Sequence, residues 1–228
     1  MCAAPVAYPA LGQHWRDLDI LARGANRLCA RDPEHADRCL KFELAAQERT
    51  RVGMRARMRR AFARVLPALG ENATEWRAWR RLRARIGTPV REVFAQCEAI
   101  VATRWGRALR CELVRQSDGT PARSLYSHLF DGTACTADAL CAEVDRIEAW
   151  LLRHRVPLFD LNAGNFVVGG SAAQPRLICI DAKSVLAGKE ILPISRWSAT
   201  LMQRKIGRRA ERLRQRIRHA LAEPARPH

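Results

Sequence analysis

From Thr136 the apolar residues Leu140, Val144, Ile147 and Leu151 recur at spacings of four, three and four, and Pro157 ends the pattern. That period puts all four on one stripe of a helix, which Thr136 can cap and which runs to about Arg155. The residues after Pro157 constrain the chain further. Leu158-Phe-Asp-Leu-Asn-Ala-Gly-Asn165 reads as a loop, and Phe166-Val-Val168 and Leu177-Ile-Cys-Ile180 read as short strands on either side of a Gly-Gly-Ser turn region. Helix, loop and hairpin in this order leave a carboxylate and a carboxamide, Asp160 and Asn165, on one loop. A second carboxylate, Asp181, arrives at the end of an apolar strand. Pairing of the two strands would bring Asp181 next to Asn165.

The rest of the chain is less regular. Ala22 to Asn26 suggests a turn and Arg38-Cys-Leu-Lys-Phe42 a strand. From Leu44 to Leu69 the pattern is helical and heavily basic. Asn72 then opens a cleaner helix, with Asn72-x-x-Glu75 in the form of a capping box. Glu75, Trp79, Leu82 and Ile86 share one face, so Glu75 points inward with the apolar stripe. Ala99 to Thr103 and Leu109 to Val114 are expected as strands joined at Trp105-Gly106, and Ser117-Asp-Gly119 breaks the pattern. The last element, from about Trp197 to Ala222, is an amphipathic helix with Ile206, Ala210, Leu213 and Ile217 on its apolar side.

With 228 residues, 48% hydrophobic and 28% charged, the chain can build one sizeable core or two small lobes. No apolar run approaches the ~20 residues of a membrane span. The N-terminal residues lack the basic-then-apolar pattern of a secretory signal, which points to the cytosol. Eight cysteines show no Cys-x-x-Cys pair, so they read as small apolar fillers, and the six histidines show no metal-ligand spacing. A formal charge of +17 implies attraction to phosphates, whether of nucleotide, nucleic acid or lipid headgroup. Of 40 cationic residues only Lys41, Lys183, Lys189 and Lys205 are lysines. In such a sequence a lysine marks a place where a compact ammonium is wanted.

Phosphoryl transfer asks for a group that orients the acceptor hydroxyl, oxygen ligands for Mg2+ and a cation on the nucleotide phosphates. Asp160, Asn165, Asp181 and Lys41 supply those types. The loop resembles the catalytic loop of the protein-kinase-like superfamily, where an Asp is followed five positions later by an Asn, and Asp181 matches its metal-binding Asp. The resemblance implies that Asp160 is the base or orienting carboxylate, that Asn165 and Asp181 hold Mg2+, and that Lys41 paired with Glu75 contacts the phosphates of ATP. It further implies adenine against the backbone from Glu112 to Arg115, Val114 included, and Gly24 in a loop over the phosphates.

More narrowly, the chain is similar to the PhoP regulatory network protein YrbL family, small bacterial proteins with a kinase-like fold. This similarity covers roughly residues 18 to 205. It rests on Gly24-Ala-Asn-Arg-Leu-Cys29, Asp32 through Lys41, Asn72 to Leu82, Glu112-Leu-Val-Arg with Asp118-Gly119, and the Asp160 loop. The fold it implies is α+β and two-lobed: a tail over 1–17, a β-rich N-lobe with one inward helix over 18–115, and a reduced helical C-lobe over 116–228. A basic helical insert is expected at 44–70.

Departures weigh against an ordinary protein kinase. Leu158 stands where many kinases have His, no Gly-x-Gly-x-x-Gly is present, and Asp181 is followed by Ala182-Lys183. Lys183 can compete with Mg2+ for Asp181, which favours a catalytically silent adaptor that binds an acidic partner through its basic helices. Asp160 and Asn165 are also ordinary turn residues, and a capping box accounts for Glu75 without any ligand. Nucleic-acid binding is less favoured, because no recognisable RNA or DNA module accompanies the charge.

Overall fold

The computed structural model describes residues 9–49, 70–185 and 198–222. Its architecture is α+β, a β-rich N-terminal sheet followed by a helical part, and the chain divides into two compact units. The first unit takes residues up to Arg77 together with Cys97–Leu113; the second takes Ala78–Gln96 and Val114 onward.

In the first unit the strands are β1 (Ile20–Arg23), β2 (Arg27–Arg31), β3 (Arg38–Glu43), β4 (Cys97–Thr103) and β5 (Gly106–Glu112). They form an antiparallel sheet of order β1-β2-β3-β5-β4. The β1–β2 hairpin is not evident in the sequence, because its strands are only four and five residues long. One face carries Leu28, Ala30, Leu40, Phe42 and Ala108, which form a core with Trp15, Leu18 and Leu44. Part of the expected tail therefore belongs to this core: Trp15 is buried and its ring meets Phe42 edge-on at 5.1 Å. Glu48 holds that segment in place, its Oε1 accepting from Gly12 N at 2.7 Å and Trp15 Nε1 at 2.9 Å. Residues 44–49 contain only a 3-10 turn, Ala46–Glu48, and the rest of the expected basic insert lies outside the described residues.

Helix α1 (Glu71–Ile86) starts one residue earlier than the sequence suggests. No capping box forms at Asn72. Asn72 lies inside the helix, where its backbone N–H donates to Glu43 Oε1 at 2.9 Å and its Nδ2 donates to the Lys41 carbonyl at 2.7 Å. Trp79 and Leu82 are buried as the periodicity requires.

The second unit is built on α2 (Leu125–Phe130), α3 (Ala137–Arg153), the hairpin β6 (Phe166–Gly170) with β7 (Pro175–Cys179), and α4 (Ala199–Ala222). Thr136 caps α3, its side chain accepting from Ala139 N at 3.2 Å. His154 is the C-cap, and Arg155, in the left-handed region at φ 49°, turns the chain before Pro157. Leu140, Val144, Ile147 and Leu151 are buried, as are Met202, Ile206, Ala210, Leu213 and Ile217 of α4, which packs on α3. Arg214 ties the two helices together, with Asp145 at 2.7 Å and Glu148 at 2.8 Å. Arg146 and Glu143 of α3 grip β7 as a pair. Arg146 donates to the Leu177 carbonyl at 2.9 Å, and Glu143 accepts from Leu177 N at 2.8 Å. Among the described residues no helix is long and apolar enough to cross a membrane.

Candidate functional site

In the first unit the lysine singled out from the sequence lies on β3, where strand alternation turns it away from the Leu40–Phe42 face. It is buried, and its Nζ donates to Glu75 Oε1 at 2.7 Å. Glu75 is 1% exposed and reaches it from the first turns of α1. The other carboxylate oxygen takes the guanidinium of Arg27 from β2. Arg27 was not singled out from the sequence, although it lies inside the Gly24-to-Cys29 stretch. Burial works against ionisation of Glu75, and the Arg27 and Lys41 cations overcome it, holding the carboxyl at about 2. Burial likewise opposes the Lys41 charge, and the Cys111 sulfur and Glu75 outweigh it, keeping the ammonium well above its usual range. The lysine is thus a charged group fixed by a buried carboxylate.

The backbone around that pair is also pinned. Asn72 holds the Lys41 carbonyl from α1, so strand and helix are joined twice within three residues of helix. Gly24 sits in the β1–β2 loop, its N–H donating to the Arg27 carbonyl at 2.8 Å. A Cβ there would meet only that carbonyl, at 3.6 Å, so the turn itself does not demand glycine. Glu112 ends β5 opposite Arg38, and its carbonyl accepts from the Cys39 thiol at 3.7 Å.

Four cysteines share the sheet face of Lys41, and three of them, Cys39, Cys97 and Cys111, are buried. Cys29 stands opposite Lys41, Cys39 opposite Cys111, and Cys97 opposite Cys111. The sulfurs of Cys97 and Cys111 are 3.5 Å apart, and Cys97 Sγ is 3.9 Å from Glu75 Oε1. Glu75, Cys97 and Cys111 bring ligand atoms within 4.8 Å of one another, but the carboxylate is already engaged by Lys41 and Arg27. Spacings of 10, 58 and 14 residues conceal this group from any motif search.

In the second unit the hairpin register does what the strand reading anticipated. Phe166 pairs with Cys179, and one step outward Ile180 N donates to the Asn165 carbonyl at 2.9 Å, leaving Asp181 immediately after. The loop closes on itself. Asn162 caps the 3-10 turn Ala163–Asn165, and the Asp160 carbonyl accepts from Asn162 N at 2.9 Å and Asn165 Nδ2 at 3.0 Å. With its amide nitrogen so used, Asn165 has Oδ1 as the atom to offer a cation. The side chain of Asp160 is half-buried. Phe159, just before it, lies under the Lys205 ammonium of α4 at 4.1 Å from the ring centre.

Asp181 is buried, and both of its oxygens meet Lys183: Oδ1 accepts the backbone N–H at 3.2 Å, and Oδ2 lies 3.1 Å from Nζ. Lys183, next but one in the chain, is thus ion-paired with this carboxylate. The carbonyl of Val114, in the second unit, accepts from Ala122 N at 2.9 Å. Lys189 lies outside the described residues.

Oxygen donors at 165 and 181 are of the hard type that suits Mg2+, whereas the sulfur row in the first unit is not. No curated protein matches the sequence. The model of the family described as PhoP regulatory network protein YrbL matches residues 14–218, nearly the whole chain, and the protein belongs to that family.

Proposed function

We propose that this protein is a kinase-like nucleotide-binding protein and an ATP- and Mg2+-dependent phosphotransferase whose acceptor is undefined. The observation that carries the reading is the buried Lys41–Glu75 pair, a lysine in a chain that writes nearly every other cation as arginine. An ammonium held by a carboxylate of the neighbouring helix is the device by which kinases position a cation on nucleotide phosphates. In the second unit the hairpin register supports the assignment of Asn165 Oδ1 and the Asp181 carboxylate as cation ligands, with Asp160 orienting the acceptor hydroxyl. When bound, Mg2+ would neutralise charge on the phosphates. The α+β architecture with its β-rich first unit is compatible with a two-lobed kinase-like fold.

Thermal melting with a non-hydrolysable ATP analogue and Mg2+ tests this reading. The melting temperature of the wild type should rise, and Asp181→Ala and Lys41→Met should each abolish the rise. A wild type that does not respond ends the proposal.

The Lys183–Asp181 ion pair favours a second reading, in which the protein is a catalytically silent member that binds an acidic partner through its basic helices. A cation on Asp181 would have to displace an ammonium already in place. On this reading Lys183→Ala strengthens Mg2+-dependent nucleotide binding, yet labelled phosphate reaches no protein, sugar or lipid headgroup in either form. Transfer by the wild type, lost in Asp160→Ala, decides for catalysis.

A further inference from the structure

The outward face of α4 carries charge that the helix does not balance. Its 24 residues hold eight cations and one carboxylate. That carboxylate, Glu211, is taken by Arg214 at 2.9 Å, and Arg214 also holds Asp145 and Glu148 of α3. Among the described residues Arg214 is the one arginine of α4 in an ion pair. Arg204, Arg208, Arg212 and Arg216 are exposed and recur every four residues, which stacks them in one row along ~18 Å of helix. Like charges at that spacing repel one another and weaken the helix. An anion laid along the row removes that repulsion.

The row ends on two exposed rings. Tyr126 and Phe130, four residues apart on α2, are 43% and 48% exposed, and their ring centres lie 4.6 Å apart. The Arg216 guanidinium stands over both, 5.7 Å from the centre of Tyr126 and 5.4 Å from that of Phe130. Among the described residues the other exposed large apolar side chains are Ile20 and Leu201, the latter near the start of α4. The rings and the arginines are far apart in the sequence and meet only through the packing of α2 against α4. The charge therefore has no aromatic company that a linear motif could reveal.

Arginines that bind phosphate and exposed rings that accept a base are the two parts of a surface for unpaired strands: the cations follow the backbone and the bases stack. We propose that the arginine row of α4, together with Tyr126 and Phe130, binds single-stranded nucleic acid. A duplex offers the same phosphates but keeps its bases stacked on one another, away from the rings. A helix that lies in a membrane surface submerges its own apolar face, and in α4 that face, from Met202 to Ile217, is already buried. The core of a protein interface is more apolar than the surface around it. Here cations form the centre and the rings stand at one end. The surface belongs wholly to the second unit and does not depend on whether Lys41 and Glu75 hold a nucleotide.

The test is fluorescence anisotropy of the full-length protein with one labelled sequence prepared as single-stranded RNA, single-stranded DNA and DNA duplex, over a series of salt concentrations. A single strand should bind more tightly than the duplex, and the two single-stranded arms identify the sugar. Its log K should fall with log salt by about 0.7 for each phosphate engaged, and Arg208→Gln combined with Arg212→Gln should flatten that slope by about 1.4. Tyr126→Ala combined with Phe130→Ala should weaken single-strand binding about tenfold or more and leave the slope unchanged. Arg81→Gln combined with Arg83→Gln, the same loss of charge from exposed positions on α1, should change neither quantity. All these substitutions are at exposed or half-exposed side chains, so each variant should melt as the wild type does. The proposal is overturned if neither single strand binds more tightly than the duplex, or if the α1 variant loses as much affinity as the α4 variant. It is also overturned if the protein ignores the oligonucleotides and instead sediments with phosphatidylglycerol vesicles or binds polyglutamate.

Discussion

Replacing Glu75 with glutamine keeps the shape of the side chain and removes the charge that Lys41 and Arg27 share. The carboxyl lies at about 2 in the folded protein against 4.5 for an unperturbed glutamate. At ~1.4 kcal/mol per pH unit, that difference corresponds to about 3 kcal/mol of stability. Because the folded value is the lower one, the unfolded chain takes up the proton first as acid is added. The contribution is therefore complete above pH ~4.5 and disappears as pH falls towards ~2. At neutral pH Glu75→Gln also leaves a buried ammonium without its partner, and breaking a buried pair costs ~3–5 kcal/mol. Urea unfolding of both forms at pH 7, 5 and 3 measures the effect. The wild type should exceed the variant by about 3 kcal/mol or more at pH 7 and 5, and the gap should shrink by about 2 kcal/mol at pH 3. A gap that stays constant from pH 5 to 3 would refute the assignment of a buried, ionised Glu75.

Other substitutions test the frame of the second unit. Thr136→Ala removes the α3 cap and should lower unfolding free energy by about 1 kcal/mol in a denaturant titration. Gly170→Ala should destabilise by more than about 1 kcal/mol, because Gly170 has φ 76° and a Cβ would stand 2.5 Å from the Gln174 carbonyl. Ile206→Ala, at a fully buried position on α4, should cost ~2–5 kcal/mol and appear as a lower melting temperature.

The helices and the hairpin of the second unit could be read from the chain because their burial is periodic and their ends carry strong punctuation at Thr136, Pro157 and Gly169-Gly170. The placing of residues 160, 165 and 181 came from that local order, since a hairpin needs only its own register to bring its ends together. The first unit resisted. Its sheet joins β3 to β5 across nearly 70 residues, so neither the Cys39–Cys111 pairing nor the four-thiol row has any local signature. Asn72 misled for a different reason. Its spacing from Glu75 satisfies the capping-box pattern, but both side chains are used by β3, and that tertiary demand overrides the local motif. Arg27 was invisible among so many arginines.

The β6–β7 ladder has a further consequence for how this chain can vary. Phe166, Val168, Leu177 and Cys179 are all buried, so sliding one strand past the other by a single residue would expose half of them. Residues 171–174, at the tip, bear no such burden: Ser171 to Gln174 are largely exposed. Length polymorphism should accordingly be accepted at the tip and rejected in either arm. A relative with two extra residues after Gly170 would keep its carboxamide and carboxylate in register, whereas one deletion between 166 and 169 would part them.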